Sequence, residues 1–556
     1  MPKPNYQKIP LFLIFIFIFT SEIFSQVVYE PLYKDVYDFL RRLSTKGIIE
    51  YNDEFRPLPR KYLAEKLLEA EKDQERLTSV DKDDLEFYKK DFYHEFWFIN
   101  NEKNKKNLDF FSEDPAGRWR VFSYGDENFK FNLSLILGYE IGSIDNSKAT
   151  HLWNGINTYG YITDAVGFSF DFRDNTELGS TIDKTKSFSP VTGVNARTSS
   201  NIVDYDENKI EYSEAKGIIA TDWGWGSIAV GKEFMEWGFA ENGLIVLSQK
   251  APSFPFIRLD IKPVDWLGFN YFHGWLASDV IDSSSFYYTS TGSIKFSFRE
   301  KYIASHSLFI RPTKGLKISI GESIVYGDKL ELLYLFPVTF FRLADHYLSR
   351  QNNRAGSNSQ FFAAISSRDH IKNTHLYGSF FIDELTLNGL FDPKKERNQV
   401  GFTIGASAVD LPLDNLTLTL EFSKIYPFVY DHFIQTQTYK SASYIVGHWM
   451  GNNNDQVYGA IKYRFLRGLE ASVWARHIRK GEKGNIEDQY TQPQPPFLFG
   501  LRTNYTYFGT LIKYEVIHEL FVRLRFQYMR KSKQHEDLSF INNDVSEFHF
   551  AIYYGM

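Results

Sequence analysis

The chain has 556 residues, with 63 Lys and Arg against 69 Asp and Glu, a net charge of −6 and no Cys. This composition excludes a disulfide scaffold and a Cys-ligated metal site, and its acidic balance argues against a nucleic-acid partner. Aromatic residues make up 17% of the chain while the mean hydropathy is only −0.34, which also excludes a bundle of membrane-spanning helices.

The chain begins with one apolar run, residues 11–19, which follows Lys3 and Lys8. The run is too short for a spanning helix, which needs about 20 residues. Because a small residue, Ser25, follows the run, residues 1–25 are predicted to be a cleaved secretory signal peptide. No Cys is present at the cleavage point, so a lipid anchor is not expected there.

A helical pattern follows the predicted signal peptide. Apolar residues recur at helical spacing from Leu32, and Gly47 is expected to end this first helix. A second helix is predicted to begin at Pro59 and a third near Ser79. Residues 26–128 are therefore predicted to form a small helical domain with a linker, which lies in the periplasm if the next strand runs outward.

From residue 129 onward the period of the pattern changes to two. In residues 129–141 the odd positions are apolar, and the even positions, Ile136 excepted, are polar or small. The same alternation returns at residues 166–173, 522–528 and 547–556. Strands of this kind present one face to hydrocarbon and the other to water. Half-buried strands of a soluble sandwich alternate as well.

The lengths of the connections favour a membrane barrel over a sandwich. Outer-membrane barrels alternate short periplasmic turns with long outer loops, and short and long connections take turns along this chain. We therefore predict an all-β outer-membrane barrel of about 18 antiparallel strands over residues 129–556. The predicted long connections are residues 174–213, 234–255, 278–300, 325–359, 424–455 and 479–504.

No local motif predicts catalysis. His94 and His518 are each followed by Glu but lack the second His of a zinc-protease helix. The only P-loop spacing, from Gly226 to Lys232, has Glu233 where Ser or Thr would hold magnesium. We expect no enzyme, no metal site and no cofactor. An outer-membrane hydrolase stays an alternative, because Ser, His and carboxylate groups from separate loops can converge in space.

The lumen-facing positions of the late strands are predicted to be basic. Such a wall is suited to an anionic glycan, or its side chains pair with acidic loops that fold into the lumen. It also motivates the alternative of a porin or substrate-specific channel. The residues of this basic wall are Lys462, Arg464, Arg476, Lys513, Arg523 and Arg525.

Two segments without strand alternation carry candidate sugar contacts. Residues 233–255 are predicted to fold inward as a plug, and residues 448–455 lie in an outer loop with a polar and aromatic mix. A Trp ring stacks on the apolar face of a sugar while neighbouring acids and amides bond its hydroxyls, although a Trp in such a loop also anchors packing. The candidate glycan contacts are Glu236, Trp237, Asn242, His448, Trp449 and Asp455.

The chain resembles the Wzi-type capsule assembly proteins at residues 40–60, 237–255 and 447–455. The resemblance implies a periplasmic helical domain, an eighteen-strand outer-membrane barrel and a surface lectin that attaches capsular polysaccharide without exporting it. No binding residue of the family is carried over, and the polar stretch 174–214 is unmatched. Non-strand residues 234–255 and 330–356 are expected to block the lumen, which disfavours a channel.

The expected partners are capsular or other surface polysaccharide and outer-membrane lipid. Through its helical domain the chain is also expected to contact peptidoglycan or an export machine. Residues 40–68 are similar to one S-layer-homology repeat, a module that binds cell-wall polymers. A small packed pair of helices gives the same pattern, so both interpretations stay open.

Overall fold

The computed structural model describes residues 25–100, 106–163, 165–180, 201–205, 207–352, 356–384 and 398–555. The predicted signal peptide therefore lies outside the described residues, except for its last position. Among the helices of the described residues, none is long and apolar enough to cross a membrane.

Eighteen antiparallel strands form a closed barrel, as predicted. Each strand pairs with its neighbours in chain order, and the last strand closes the barrel by pairing with the first. The strands are β1 Phe129–Ile144, β2 Ser147–Ile162, β3 Val166–Leu178, β4 Lys209–Asp222, β5 Gly226–Glu233, β6 Phe254–Val264, β7 Leu267–Leu276, β8 Lys301–Thr313, β9 Leu316–Gly327, β10 Asn358–Arg368, β11 Thr374–Glu384, β12 Gln399–Val409, β13 Leu416–Ile425, β14 Asn454–Leu466, β15 Leu469–Lys480, β16 Thr503–Ile517, β17 Leu520–Gln534 and β18 Phe540–Tyr554.

The alternation read from the sequence matches the two faces of the strands. In β1, Leu135 and Leu137 are exposed on the outer surface, while Lys130, Asn132 and Ser134 are buried in the lumen. The outer surface of the barrel is therefore apolar, as contact with lipid requires, and the lumen side is polar.

The predicted short turns all join strands at the end of the barrel that carries the N-terminal helices. At the opposite end, called here the outer end, most connections are long, but residues 145–146 and 535–539 are short. Asp145 and Asn146 both have positive φ, as a two-residue hairpin turn requires. Strict alternation of short and long connections is therefore wrong at these two places.

Within the described residues before the barrel there are four α-helices, and the first three begin close to the predicted positions. Gly47, with φ of +66°, follows the first helix, and Thr78 caps the third through a capping box with Asp81. Their apolar faces form one small core with Leu40 and Leu63 fully buried. The helices are α1 Val36–Thr45, α2 Arg60–Glu71, α3 Ser79–Asp91 and α4 Tyr93–Ile99.

The segment before the barrel contains a β-hairpin, Asn107–Glu113 and Trp119–Gly125, that the sequence did not predict. Its second strand pairs with the beginning of β1, so the linker extends the barrel wall at the inner end. Together α1 to α4 and this hairpin are called the helical region. The exact domain limits drawn from the sequence stay a prediction.

Residues 330–356 were expected to block the lumen, and this expectation is wrong. Helix α5, Phe341–Asn352, packs against Ile324 and Tyr326 of β9. These side chains lie on the same strand face as Ile320, which is 61% exposed on the outer surface of the barrel. The described part of the segment, residues 330–352, therefore covers the outer wall, whereas residues 234–255 do enter the lumen.

Candidate functional site

The plug segment, residues 234–253 between β5 and β6, forms a hydrophobic core inside the barrel. Trp237 stacks on Phe55 of the helical region at 4.2 Å between ring centroids, and packs edge-on against Phe362 at 5.3 Å. Its side chain is only 1% exposed. Because neither ring face is free, Trp237 acts here as a packing anchor, and the predicted stacking on a sugar does not fit this position.

A second segment, residues 426–453 between β13 and β14, holds the plug from the outer end and is called the outer segment. The Tyr430 hydroxyl donates to the carbonyl of Ile245 at 2.6 Å, and the Tyr439 hydroxyl donates to that of Val246 at 2.9 Å. The two aromatic side chains are fully buried. The plug and the outer segment therefore pack as one unit within the lumen.

Two predicted sugar contacts of the outer segment, His448 and Trp449, belong to this packed unit. His448 is fully buried, and burial lowers the pKa of its imidazole to about 3. The Trp449 indole donates to the carbonyl of Asn242 at 2.7 Å. Asp455 lies outside this unit on β14 and forms an ion pair with Arg479 of β15, with 3.0 Å between Oδ1 and Nε. Within the described ranges, no three His, Asp or Glu side chains are arranged to hold a metal ion.

A cavity of about 520 Å³ lies in the lumen between α1, the plug segment and strands β13 to β15. Its size falls within the usual range for small-ligand sites, about 300–1,000 Å³. Glu236, Asn242 and Trp449 line it, so it brings together three of the six predicted contacts. Glu236 is held by Arg56 at 2.9 Å. The Asn242 amide nitrogen has no hydrogen-bond partner in the described part of the chain.

The basic wall is present and acids neutralise most of it, although the pairing interpretation had placed those acids on loops folded into the lumen. Arg464 binds Asp81 at 3.0 Å and Asp84 at 2.6 Å, so its partners lie on α3 of the helical region and not on loops. The guanidinium of Arg476 lies 4.3 Å from the Trp474 ring, and its Nε and Nη1 have no hydrogen-bond partner among the described residues. The other pairs are Lys462 with Asp38, Lys513 with Asp35, Arg523 with Glu140 and Arg525 with Glu547.

Asp81 is the centre of the contact between the helical region and the barrel. Its fully buried carboxylate binds Arg42, Lys46 and Arg464, each at 3.0 Å. Burial alone would raise the pKa of Asp81, but these three cations hold it well below its usual value. The sequence analysis did not single out Asp81, because its partner Arg464 lies far along the chain.

An aromatic hairpin at the outer end was missed by the sequence reasoning. It spans residues 281–298 between β7 and β8, and its Tyr287 and Tyr288 are 60% and 76% exposed. Ser and Thr residues flank both tyrosines. The run Ser-Ser-Ser-Phe-Tyr-Tyr-Thr was the available signal, but residues 278–300 were interpreted only as a long polar connection.

An eighteen-strand barrel whose lumen is filled by its own plug and joined to an N-terminal helical region defines the class of plugged outer-membrane barrels. Residues 167–539 match the model of the family described as capsule assembly protein Wzi. This match covers more than half of the chain, and the chain therefore belongs to that family.

One solved structure shows the same fold. The chain is similar to Wzi of Escherichia coli, described as an outer-membrane carbohydrate-binding β-barrel involved in group 1 capsule assembly. The identity is 12%, the TM-score is 0.56, and the match covers 96% of this chain and 100% of that one. OccAB1 of Acinetobacter baumannii gives 11% identity, a TM-score of 0.43 and coverage of 82% and 99%. No curated protein sequence matches the chain.

Proposed function

We propose that this protein is a non-enzymatic carbohydrate-binding barrel that attaches capsular or other surface polysaccharide to the outer membrane. Membership of the Wzi family and the carbohydrate binding described for the Escherichia coli protein support this function. The observation that carries it is the packed core around Trp237, which fills the lumen where a general porin has a water-filled channel.

The outer hairpin is the proposed contact for polysaccharide outside the cell. Tyr287 and Tyr288 present amphipathic rings at the outer end, where a surface glycan arrives first. The hydroxyl groups of the neighbouring Ser and Thr residues supply hydrogen bonds to sugar hydroxyls. Two exposed rings next to a polar turn therefore form a site that needs no opening of the plug.

The cavity is the second proposed sugar contact, reached from the inner end. Glu236 and the unpartnered amide of Asn242 are suited to sugar hydroxyls, and Trp449 offers an aromatic edge beside them. Trp237 and His448, predicted as contacts, are instead proposed to support the site by holding the plug and the outer segment. Asp455 is proposed only to join β14 to β15 through Arg479. The basic wall is proposed to hold the helical region against the barrel.

The role of the helical region outside the barrel stays a prediction. Contact with peptidoglycan or with an export machine was expected from the sequence, and the described contacts of α1 and α3 are with the barrel itself. The absence of catalysis is likewise a prediction, which a serine-reactive activity probe applied to the purified protein tests.

The direct test of carbohydrate binding uses the purified full chain in detergent and immobilised polysaccharide from the producing strain. Saturable binding that soluble polysaccharide competes away is the expected result. The variant Tyr287→Ala/Tyr288→Ala measures the contribution of the hairpin to binding. The variant Asn242→Ala measures the contribution of the cavity. Absence of binding by the wild-type chain contradicts the proposal.

Conductance in planar bilayers tests the channel alternative. A barrel with a packed lumen is expected to give no steady current of the size that a general porin gives, because no wide water path crosses the core. Porin-like conductance of the wild-type chain would contradict the plugged barrel and support a channel.

A further inference from the structure

Helix α5 lies on the side of the barrel wall that elsewhere contacts lipid. The register of β8 and β9 places His306 opposite Glu322 and Leu308 opposite Ile320. All four side chains share one face because the alternation between these positions is unbroken. Since Leu308 and Ile320 are exposed on the outer surface, His306 and Glu322 point outward as well.

A carboxylate that faces lipid without a hydrogen-bond partner is unfavourable, and α5 shields Glu322 from the lipid. The backbone N–H of Phe341, the first residue of α5, donates to Oε1 of Glu322, and His306 Nε2 lies 3.4 Å from the same oxygen. The Phe341 ring packs on the His306 ring at 4.5 Å between centroids. A carboxylate at a helix N-terminus is stabilised by the helix dipole, so Glu322 fixes α5 on the outer wall.

Several large apolar side chains are exposed on α5 and on the residues just before it, 332–340, which is unfavourable in water. Val338 in the approach to the helix is 81% exposed. The exposed apolar side chains of this segment continue the apolar outer surface of the strands. Amphipathic segments of this kind lie at the boundary between lipid headgroups and acyl chains. The other exposed apolar side chains are Leu332, Phe336, Phe340, Leu343 and Tyr347.

Apart from Tyr347, the exposed ionisable side chains of α5 are all basic. Arg342, His346 and Arg350 follow one another at intervals of four residues and so share one face of the helix. His346 and Arg350 line a shallow surface pocket together with Tyr347. The helix acid, Asp345, is buried. Among the described residues, no carboxylate lies within ion-pair distance of Arg342 or Arg350.

We propose that α5 lies in the outer leaflet of the outer membrane and binds a phosphate group of an outer-leaflet glycolipid through Arg342, His346 and Arg350. Planar guanidinium groups match phosphate oxygens, and the apolar side chains beside them match the acyl chains of the same molecule. The position of α5 on the outer wall, away from the lumen, favours a lipid over a polysaccharide. This site is independent of the proposed polysaccharide contacts.

Native mass spectrometry of the purified full chain with bisphosphorylated lipid A tests the site. We expect Arg342→Gln/Arg350→Gln to lower lipid A occupancy about tenfold, since hydrogen bonds to charged groups are lost. The control Lys314→Gln/Lys372→Gln removes two exposed cations from turns at the inner end and is expected to bind like wild type. Equal occupancy of the two double variants, or equal binding of dephosphorylated lipid A by wild type, overturns the proposal.

The depth of α5 in the membrane gives a second readout that does not depend on lipid identity. The chain has no Cys, so a single nitroxide label on Leu343→Cys reports the position of α5 in vesicles of phospholipid and lipid A. The label is expected to be accessible to oxygen in the lipid, like one on Ile320→Cys, and shielded from an aqueous nickel reagent. Access to nickel like that of Glu487→Cys in an outer loop, or shielding of Leu343 only after acidic polysaccharide is added, overturns the proposal.

Discussion

The ring of Phe55, in the helical region, stacks on the ring of Trp237, in the plug, with 4.2 Å between their centroids. The backbones of the two residues pair as well, because Phe55–Arg56 and Glu236–Trp237 form a short two-stranded sheet. The Arg56 side chain adds an ion pair with Glu236 at 2.9 Å. The helical region and the plug therefore share one core, and neither can leave the lumen without exposing it.

Replacing Trp237 by Ala is expected to destabilise the plugged barrel by about 3–5 kcal/mol, because a large buried side chain leaves a cavity that its neighbours fill only partly. Trp225→Ala is the matched control, since Trp225 is 42% exposed in a short turn. Thermal unfolding followed by gel mobility measures the difference. An unchanged midpoint for Trp237→Ala would show that the core is not what holds the plug.

Asp81→Asn is expected to loosen the helical region from the barrel. The change leaves Arg42, Lys46 and Arg464 without their shared carboxylate, and breaking a buried ion pair costs about 3–5 kcal/mol. Limited proteolysis of the purified protein is expected to cleave the helical region faster. Asp83→Asn, an exposed position on the same helix, serves as control, and equal cleavage of the two variants would refute this role of Asp81.

Acid is expected to release the helical region. The pKa of Asp81 is held below its usual value of 3.8, so its contribution to stability is present above that value and lost as the pH falls through the lower folded-state pKa. Burial lowers the pKa of His518, in the β16–β17 turn, from 6.5 to about 3, so unfolding takes up a proton between these values. Both Asp81 and His518 therefore weaken the contact between the helical region and the barrel as the pH falls.

The measurement is proteolysis or hydrogen exchange of residues 36–99 at several pH values from about 7 to about 3. Protection is expected to decline below about pH 6.5 and to fall further below about pH 4. Protection that increases on acidification would contradict the assigned ion pairs. The Asp81→Asn variant is expected to lose the lower step, which separates its contribution from that of His518.

Removing the two exposed tyrosines of the outer hairpin is expected to weaken polysaccharide binding about tenfold, or about 1.4 kcal/mol, through lost stacking area. The double variant Tyr287→Ala/Tyr288→Ala is compared with Tyr490→Ala, a 42% exposed tyrosine on another outer connection. Equilibrium binding of purified polysaccharide gives the affinities. Equal affinities of the two variants would place the contact elsewhere.

The barrel could be predicted from the sequence because strand alternation is a local property, visible in residues as close as Leu135 and Leu137. The inward path of the plug was visible as a break in that alternation. The side of the wall that α5 covers was not visible, because it depends on the contact of Phe341 with Glu322 across the tertiary structure.

The candidate site was predicted less well for the same reason. Trp237 was predicted to bind sugar because Glu236 and Asn242 lie close to it in the sequence. Its packing partner Phe55 is remote in sequence and could not be recognised. The basic positions were recognised correctly, whereas the acids that pair with Lys462 and Arg464 lie on helices near the other end of the chain. Long-range pairs of this kind leave no periodic pattern in a single sequence.

The partition of surface polysaccharide between cells and culture medium tests the central claim most directly. It is measured in the parent strain, in a strain that lacks this protein, and in that strain supplied again with the wild-type chain. We predict that loss of the protein shifts polysaccharide into the medium at unchanged total amount, and that the wild-type chain restores its retention. Unchanged retention in the strain without the protein would contradict the attachment function.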